Sequence, residues 1–313
     1  MGNIRKILFC ALAAAFCETA PAHADDYCQL KMVGAMDIIT GSDGRLLVPV
    51  AIEGQPVYFR LDIGSPNTGL LASWVEGANL QTRPIPGGVH VHMEGQNIER
   101  EVVANLSLGK ATGYERMALL PSLIKSDPRE MGILGADVLR LFDVELDLAH
   151  GKLNVFSTDH CPKQVVYWTH TAPVAALPIE TPGYADFSVV MQLDGKDMET
   201  KFSTVFSHAL LSTRAASENF GLPVPDDVLR ADVKPYSPGF KALTVDGLTI
   251  ANPIVYPLLD KTKHGCTGHA FQSFFGRCFG VPDLYIGLNE LSKLRIFFDF
   301  SENMLFATAA DAH

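Results

Sequence analysis

Short runs rich in Val, Ile, Leu and Phe recur along most of the chain, separated by Gly, Pro, Asn and Asp. Runs of this length, bounded by turn-forming residues, predict an all-β protein. Residues 45–52 form one run, and Gly54 turns it into a second at 57–61. Residues 89–93 and 101–108 surround Glu94-Gly95-Gln96-Asn97, which reads as a hairpin-like break. The helical signal is confined to two short segments, 137–142 and 290–294, each after a glycine and before a β-rich run.

The pattern occurs twice. Glu53-Gly54 is followed eight residues after the glycine by Asp62, and Asp194-Gly195 is followed eight residues after the glycine by Ser203. An apolar run precedes each, and a Leu-Leu pair follows each, Leu70-Leu71 and Leu210-Leu211. Farther on, Ile133-Leu134-Gly135 precedes Asp137-Val138-Leu139, and Tyr285-Ile286-Gly287 precedes Asn289-Glu290-Leu291. Asp147 and Asp299 each stand twelve residues beyond the glycine, at a common offset of 152, and their repetition suggests a role in a turn or strand pairing. Ordered landmarks with preserved spacing argue for duplication. They predict one lobe at 25–163, a second at 172–313, and a strand or ordered crossover at 164–171.

The N-terminus changes what counts as the mature chain. Arg5 and Lys6, an apolar run over 7–16, and Ala22-His23-Ala24 follow the order of a secretory signal peptide over 1–24. This predicts a mature chain from Asp25, located in the periplasm or secreted. Removing Arg5, Lys6 and Glu18 leaves 23 basic and 34 acidic residues, a net charge of 23 − 34 = −11. That surface repels phosphate backbones, so nucleic acid is not expected as a partner. No later run is long and apolar enough to predict membrane insertion after signal removal. Cys28, Cys161, Cys266 and Cys278 remain, and an even count in an exported chain suggests disulfides. Of the three pairings, Cys28–Cys161 with Cys266–Cys278 is the one expected.

Candidate chemistry centres on Phe59-Arg60-Leu61-Asp62-Ile63-Gly64-Ser65 and Gly132-Ile133-Leu134-Gly135-Ala136-Asp137-Val138-Leu139. Together these resemble the two signature elements of the retropepsin-like and pepsin-like aspartic peptidases, in particular exported bacterial proteins with tandem retropepsin-like domains. The resemblance implies two β-barrel lobes of the acid-protease fold facing each other across a cleft. It makes Asp62 the candidate general base, with Gly64 and Ser65 in its loop. It also makes the segment 87–95 a flap over the cleft, with His90, His92, Glu94 and Gly95 as candidate flap residues.

The family's chemistry needs two carboxylates that share a proton and hold one water, a pairing that drives their pKa values apart. Lobe two carries Ser203-Thr204-Val205 where the second Asp-Thr-Gly would stand, so the carboxylate and the glycine are both missing. Lobe one carries Ile63 where a threonine would brace the loops. A β-branched Val205 would poorly tolerate a left-handed turn. A lone Asp62, unless strongly desolvated, should titrate near the ordinary value of about 4.

The expected function is therefore that of a pseudo-peptidase binding an extended peptide or protein segment in the cleft by strand addition. One alternative is a divergent aspartic endopeptidase that pairs Asp62 with another polar group or with a second chain in a homodimer. The other is a structural exported β protein. No cofactor is implied, and no metal. His90 and His92 lack a third ligand, and the cluster His264, Cys266, His269 and Cys278 reads as a disulfide loop before a zinc site. Ser203 with His208 is a poor nucleophile pair, because no orienting acid accompanies it.

Overall fold

The computed structural model describes residues 29–87, 91–121, 127–183, 186–223, 233–259 and 281–312, with short strands at 261–262, 265–266, 271–272 and 278–279. The expected signal segment, Cys28, His90, His264 and His269 fall outside the described residues. So do the side chains of Cys266 and Cys278, whose backbones pair with Lys261 and Gln272 in separate hairpins.

The chain is all-β and builds two barrel lobes. In lobe one, Leu46–Ile52 runs antiparallel to Gln55–Leu61, and the hairpin turn is Glu53-Gly54, with φ of 49° and 76°. Its counterpart in lobe two joins Asp186–Leu193 to Lys196–Phe202 through Asp194-Gly195, with φ of 45° and 76°. Two successive positive φ angles match the twist of a tight hairpin, and glycine makes the second of them inexpensive. The ties from these turns are duplicated too: Glu53 N donates to Asn105 O, and Asp194 N donates to Ala242 O.

Each lobe places a distant strand between two near neighbours. Glu130–Leu134 lies parallel to Gln55–Leu61 and antiparallel to Gly69–Leu71. Leu284–Ile286 stands in the same relation to Lys196–Phe202 and Ala209–Ser212. The segments 62–68 and 203–208 are consequently loops carried over the end of a central strand, and they point toward each other.

A third sheet belongs to both halves. Its order is Met32–Asp37, Lys152–Phe156, Asp143–Asp147, Leu294–Asp299, Met304–Ala309, Ala175–Pro178. The central pair is antiparallel, with Val144 opposite Phe298, Glu145 opposite Phe297, Leu146 opposite Ile296 and Asp147 opposite Arg295. The offset of 152 exchanges Val144 with Ile296 and Leu146 with Phe298, so the repeat is related by a two-fold axis through Glu145 and Phe297. Asp147 Oδ1 accepts from His150 N and Asp299 Oδ1 from Glu302 N, each closing the turn into the next strand. One apolar core continues through the lobes and this sheet, and Ile63, Leu139 and Val144 share it with Phe187, Phe202 and Phe298. The crossover at 164–171 forms no strand, but Val165 is buried and Trp168 Nε1 donates to Thr308 Oγ1.

Two details differ from expectation. Helices also occur at Ala72–Gly77, directly after Leu70-Leu71, and at Thr213–Phe220, one residue after Leu210-Leu211, and are therefore part of the repeat. The second is capped by Ser212, whose side chain accepts from Ala215 N, and ends at left-handed Gly221, signals that its shortness hid. The 94–97 break is shorter than the composition suggested. Glu94-Gly95 alone forms the turn, both with positive φ, and Gln96–Ile98 already returns as a strand against Val91–Met93.

Candidate active site

Asp62 follows directly on Gln55–Leu61, and its N–H donates to Leu134 O at 3.0 Å. Ser203 follows Lys196–Phe202 in the same way, with its N–H donating to Ile286 O at 3.0 Å. Asp62 Oδ1 accepts from Gly64 N at 3.2 Å, and Ser203 Oγ accepts from Val205 N at 3.3 Å and Phe206 N at 3.2 Å. The serine hydroxyl thus takes over the loop-holding part of a carboxylate's work, though it brings no acid. Among the described residues, no second carboxylate hydrogen-bonds to Asp62.

The loops touch through Thr204. Its Oγ1 donates to Leu61 O at 2.7 Å and accepts from Ile63 N at 3.2 Å, both across the lobe boundary. Ile63, at the equivalent position, cannot reciprocate. Its side chain is buried in an apolar pocket with Leu139, Val144, Phe187 and Phe298.

Gly64 is needed for space. Its φ lies outside the left-handed region, but an added Cβ would sit 2.9 Å from Phe202 O, at the end of the strand that leads into the facing loop. Val205 likewise has no positive φ, and its side chain projects outward, 39% exposed. The expectation that valine would strain a left-handed turn is therefore corrected: this position is not left-handed.

Each second element supports its loop by close approach as well. A Cβ on Gly135 would lie 2.5 Å from Asn67 O, and one on Gly287 would lie 2.5 Å from His208 O. Ser65 O accepts from Ala136 N, and Phe206 O accepts from Leu288 N. Ser65 Oγ donates to Asn67 O, which shapes the loop locally. In lobe one, Thr68 Oγ1 donates to Asp137 Oδ1 at 2.6 Å and accepts from Gly135 N at 2.9 Å. Lobe two replaces this network by a 2.8 Å contact between Asn289 Nδ2 and His208 Nδ1.

One charged residue missed in the sequence, Arg60, lies beside Asp62. Strand alternation puts Arg60 and Asp62 on one face. Arg60 is only 2% exposed, and its Nη2 lies 2.8 Å from Glu94 Oε1 at the tip of the 91–98 hairpin. Its Nε lies 3.8 Å from Glu130 Oε1, on a fully buried side chain. The flap candidate Glu94 thus closes onto the strand that carries Asp62, with Gly95 completing the turn. His92 contacts Asn97 Oδ1 across the hairpin at 2.9 Å through Nδ1. Burial pushes the Asp62 carboxyl above its ordinary range. The Arg60 charge and the Gly64 N–H oppose that rise, while Glu94 adds to it.

No protein-family model and no curated protein matches the chain. Among solved structures it is similar to basic 7S globulin from soybean, which has a pepsin-like fold. The two are 13% identical, the match covers 90% of this chain and 99% of that one, and the TM-score is 0.52. At this identity the likeness is one of fold, two β-barrel lobes in the pepsin-like arrangement.

Proposed function

We propose that this is an exported pseudo-peptidase of the retropepsin-like group, which holds an extended peptide or protein segment between its lobes without hydrolysing it. The observation that carries the reading is the pairing of an intact Asp62 loop with a Ser203 loop of the same backbone geometry. The receptor architecture is kept, whereas the second carboxylate that would share a proton with Asp62 is replaced by a hydroxyl tied to its own loop. Serine cannot serve as the acid of a proton-sharing dyad near neutral pH. The hairpin at 91–98 supplies a cover on the Asp62 side, held by Glu94 on Arg60.

Repairing the dyad with Asp62 of a second chain is disfavoured. Phe202 O and Thr204 of the same chain already occupy the face of the Asp62 loop that a partner would need. The signal-like N-terminus favours a periplasmic or secreted location.

The test is a library of fluorescent extended peptides titrated against the mature protein, with mass-spectrometric analysis of the same mixtures at acid and neutral pH. Saturable binding with intact peptides is the expected result. Cleavage that disappears in Asp62→Asn would establish the divergent peptidase instead. Neither binding nor cleavage would leave a structural β protein.

A further inference from the structure

The central ladder of the shared sheet ends differently on its two sides. At one end Arg295 Nη2 lies 2.6 Å from Glu145 Oε1, and its Nε lies 3.5 Å from Asp147 Oδ2, so a partly buried arginine compensates both carboxylates. The repeat offset carries Asp143 onto Arg295 and Asp147 onto Asp299. At the other end, one step beyond Val144 opposite Phe298, two aspartates therefore stand where the first end has an arginine and an aspartate.

Asp143 and Asp299 are both fully buried. His160, its side chain 1% exposed, places Nε2 2.7 Å from Asp143 Oδ2 and 3.9 Å from Asp299 Oδ1. One ligand atom from each of the three residues lies within 4.8 Å of the others. His160 Nδ1 contacts Cys161 O at 3.1 Å. A carbonyl and a carboxylate only accept, so without an ion Nδ1 donates to Cys161 O and Nε2 donates to Asp143 Oδ2; release of the Nε2 proton frees its lone pair for a cation between the carboxylates. An outer contact such as that to Cys161 O is what orients a metal-ligating histidine.

Ser301 Oγ lies 3.0 Å from Asp143 Oδ2 and 2.9 Å from Asp299 Oδ1, and one hydroxyl hydrogen cannot serve both. Asp299 Oδ2 is buried with no hydrogen-bond partner. Two buried carboxylates with one neutral or singly charged imidazole leave negative charge uncompensated, which a low-dielectric interior penalises heavily.

We propose that Asp143, His160 and Asp299, with the Ser301 hydroxyl, form a site for one divalent first-row cation, zinc being the probe, which staples the two lobes. The donor set of one imidazole nitrogen and three oxygens suits that class. Ligands about 2.0–2.1 Å from a tetrahedral zinc stand about 3.3 Å apart. The 2.7 and 3.9 Å separations reach that value by shifts of about half an ångström. The residues come from both lobes, and the side chains of Asp143, His160 and Asp299 are closed to solvent while Ser301 lies at the surface edge of the site, so the ion's role is structural. The inference does not depend on what the cleft binds.

The experiment is calorimetric titration of Zn²⁺ into chelator-treated mature protein, with melting followed in parallel. One equivalent should bind, raise the melting temperature and release a proton, seen as a buffer-dependent heat. Binding should survive Cys266→Ser/Cys278→Ser and be lost in Asp299→Asn with an unchanged circular dichroism spectrum. No binding, loss in the cysteine double variant, or retention in Asp299→Asn overturns the proposal. Should Asp299→Asn not fold, Ser301→Ala decides: affinity about tenfold weaker supports the site, and unchanged affinity overturns it.

Discussion

Thr204 and Ile63 occupy equivalent places in the two loops, yet the contact between them runs one way: the threonine hydroxyl accepts from Ile63 N and donates to Leu61 O. One lobe grips and the other is gripped. Thr204→Val keeps the shape and strands a buried N–H and a buried carbonyl. A loss of about 1–3 kcal/mol in unfolding free energy is expected, measured by urea denaturation. A loss within error would mean that the apolar packing of Ile63 alone holds the loops together.

Gly64→Ala tests the close approach of the loops. The added methyl meets Phe202 O, a backbone atom that cannot swing away. Overpacking of this kind costs about 1–3 kcal/mol. The equivalent change Val205→Ala should be nearly neutral, because that side chain projects outward. The contrast between the two variants, read from chemical denaturation, separates space from backbone conformation as the reason for the glycine.

Asp62 gives a pH signature. Its carboxyl is raised by burial, so between the unfolded and folded pKa the native state binds more protons than the unfolded chain. The stability tied to protonated Asp62 is present in full below the unfolded pKa, about 4, and is lost as pH rises through the folded value. Asp62→Asn does not titrate, and its Oδ1 still accepts from Gly64 N. The variant should therefore melt higher than the wild type at neutral pH, with the difference vanishing in acid. A variant that melts lower at neutral pH would show that the ionised carboxylate is favourably held.

Arg60 holds two carboxylates, and they differ. Glu130 is fully buried, while Glu94 is 23% exposed. Arg60→Met removes the cation beside the buried Glu130, a loss of about 3–5 kcal/mol. Arg60→Met/Glu130→Met should recover most of it. Glu94→Gln should cost less than either single change at the buried pair, because water can reach that carboxylate. Its expected mark is faster hydrogen exchange in the 91–98 hairpin.

The loop of Asp62 and the duplication were legible because turns leave residues behind. Glu53-Gly54 and Asp194-Gly195 adopt the same backbone angles, and the glycines at 135 and 287 are both required by a facing carbonyl. Arg60 was not legible, since alternation along a strand assigns a charged residue to the solvent face. Only the hairpin folding back onto that face buries it. Asp143 and His160 were passed over because their meeting with Asp299 depends on a strand pairing made across 150 residues of chain. The short helices at Ala72–Gly77 and Thr213–Phe220 span too few turns for a periodicity to register.

The shared sheet also governs how the molecule can come into being. Asp143–Asp147 has Leu294–Asp299 as its neighbour, and Ala175–Pro178 closes on Met304–Ala309 at the far edge. In a chain halted after residue 163, Asp143–Asp147 pairs with Lys152–Phe156 on one side only, and its other edge stays open until Leu294–Asp299 arrives. The lobes, though copies of one plan, are therefore not separable parts. Cutting the crossover or expressing one half yields a fragment with an open strand edge inclined to pair with its own copies. Duplication here produced a single folding unit that is completed from its C-terminal end.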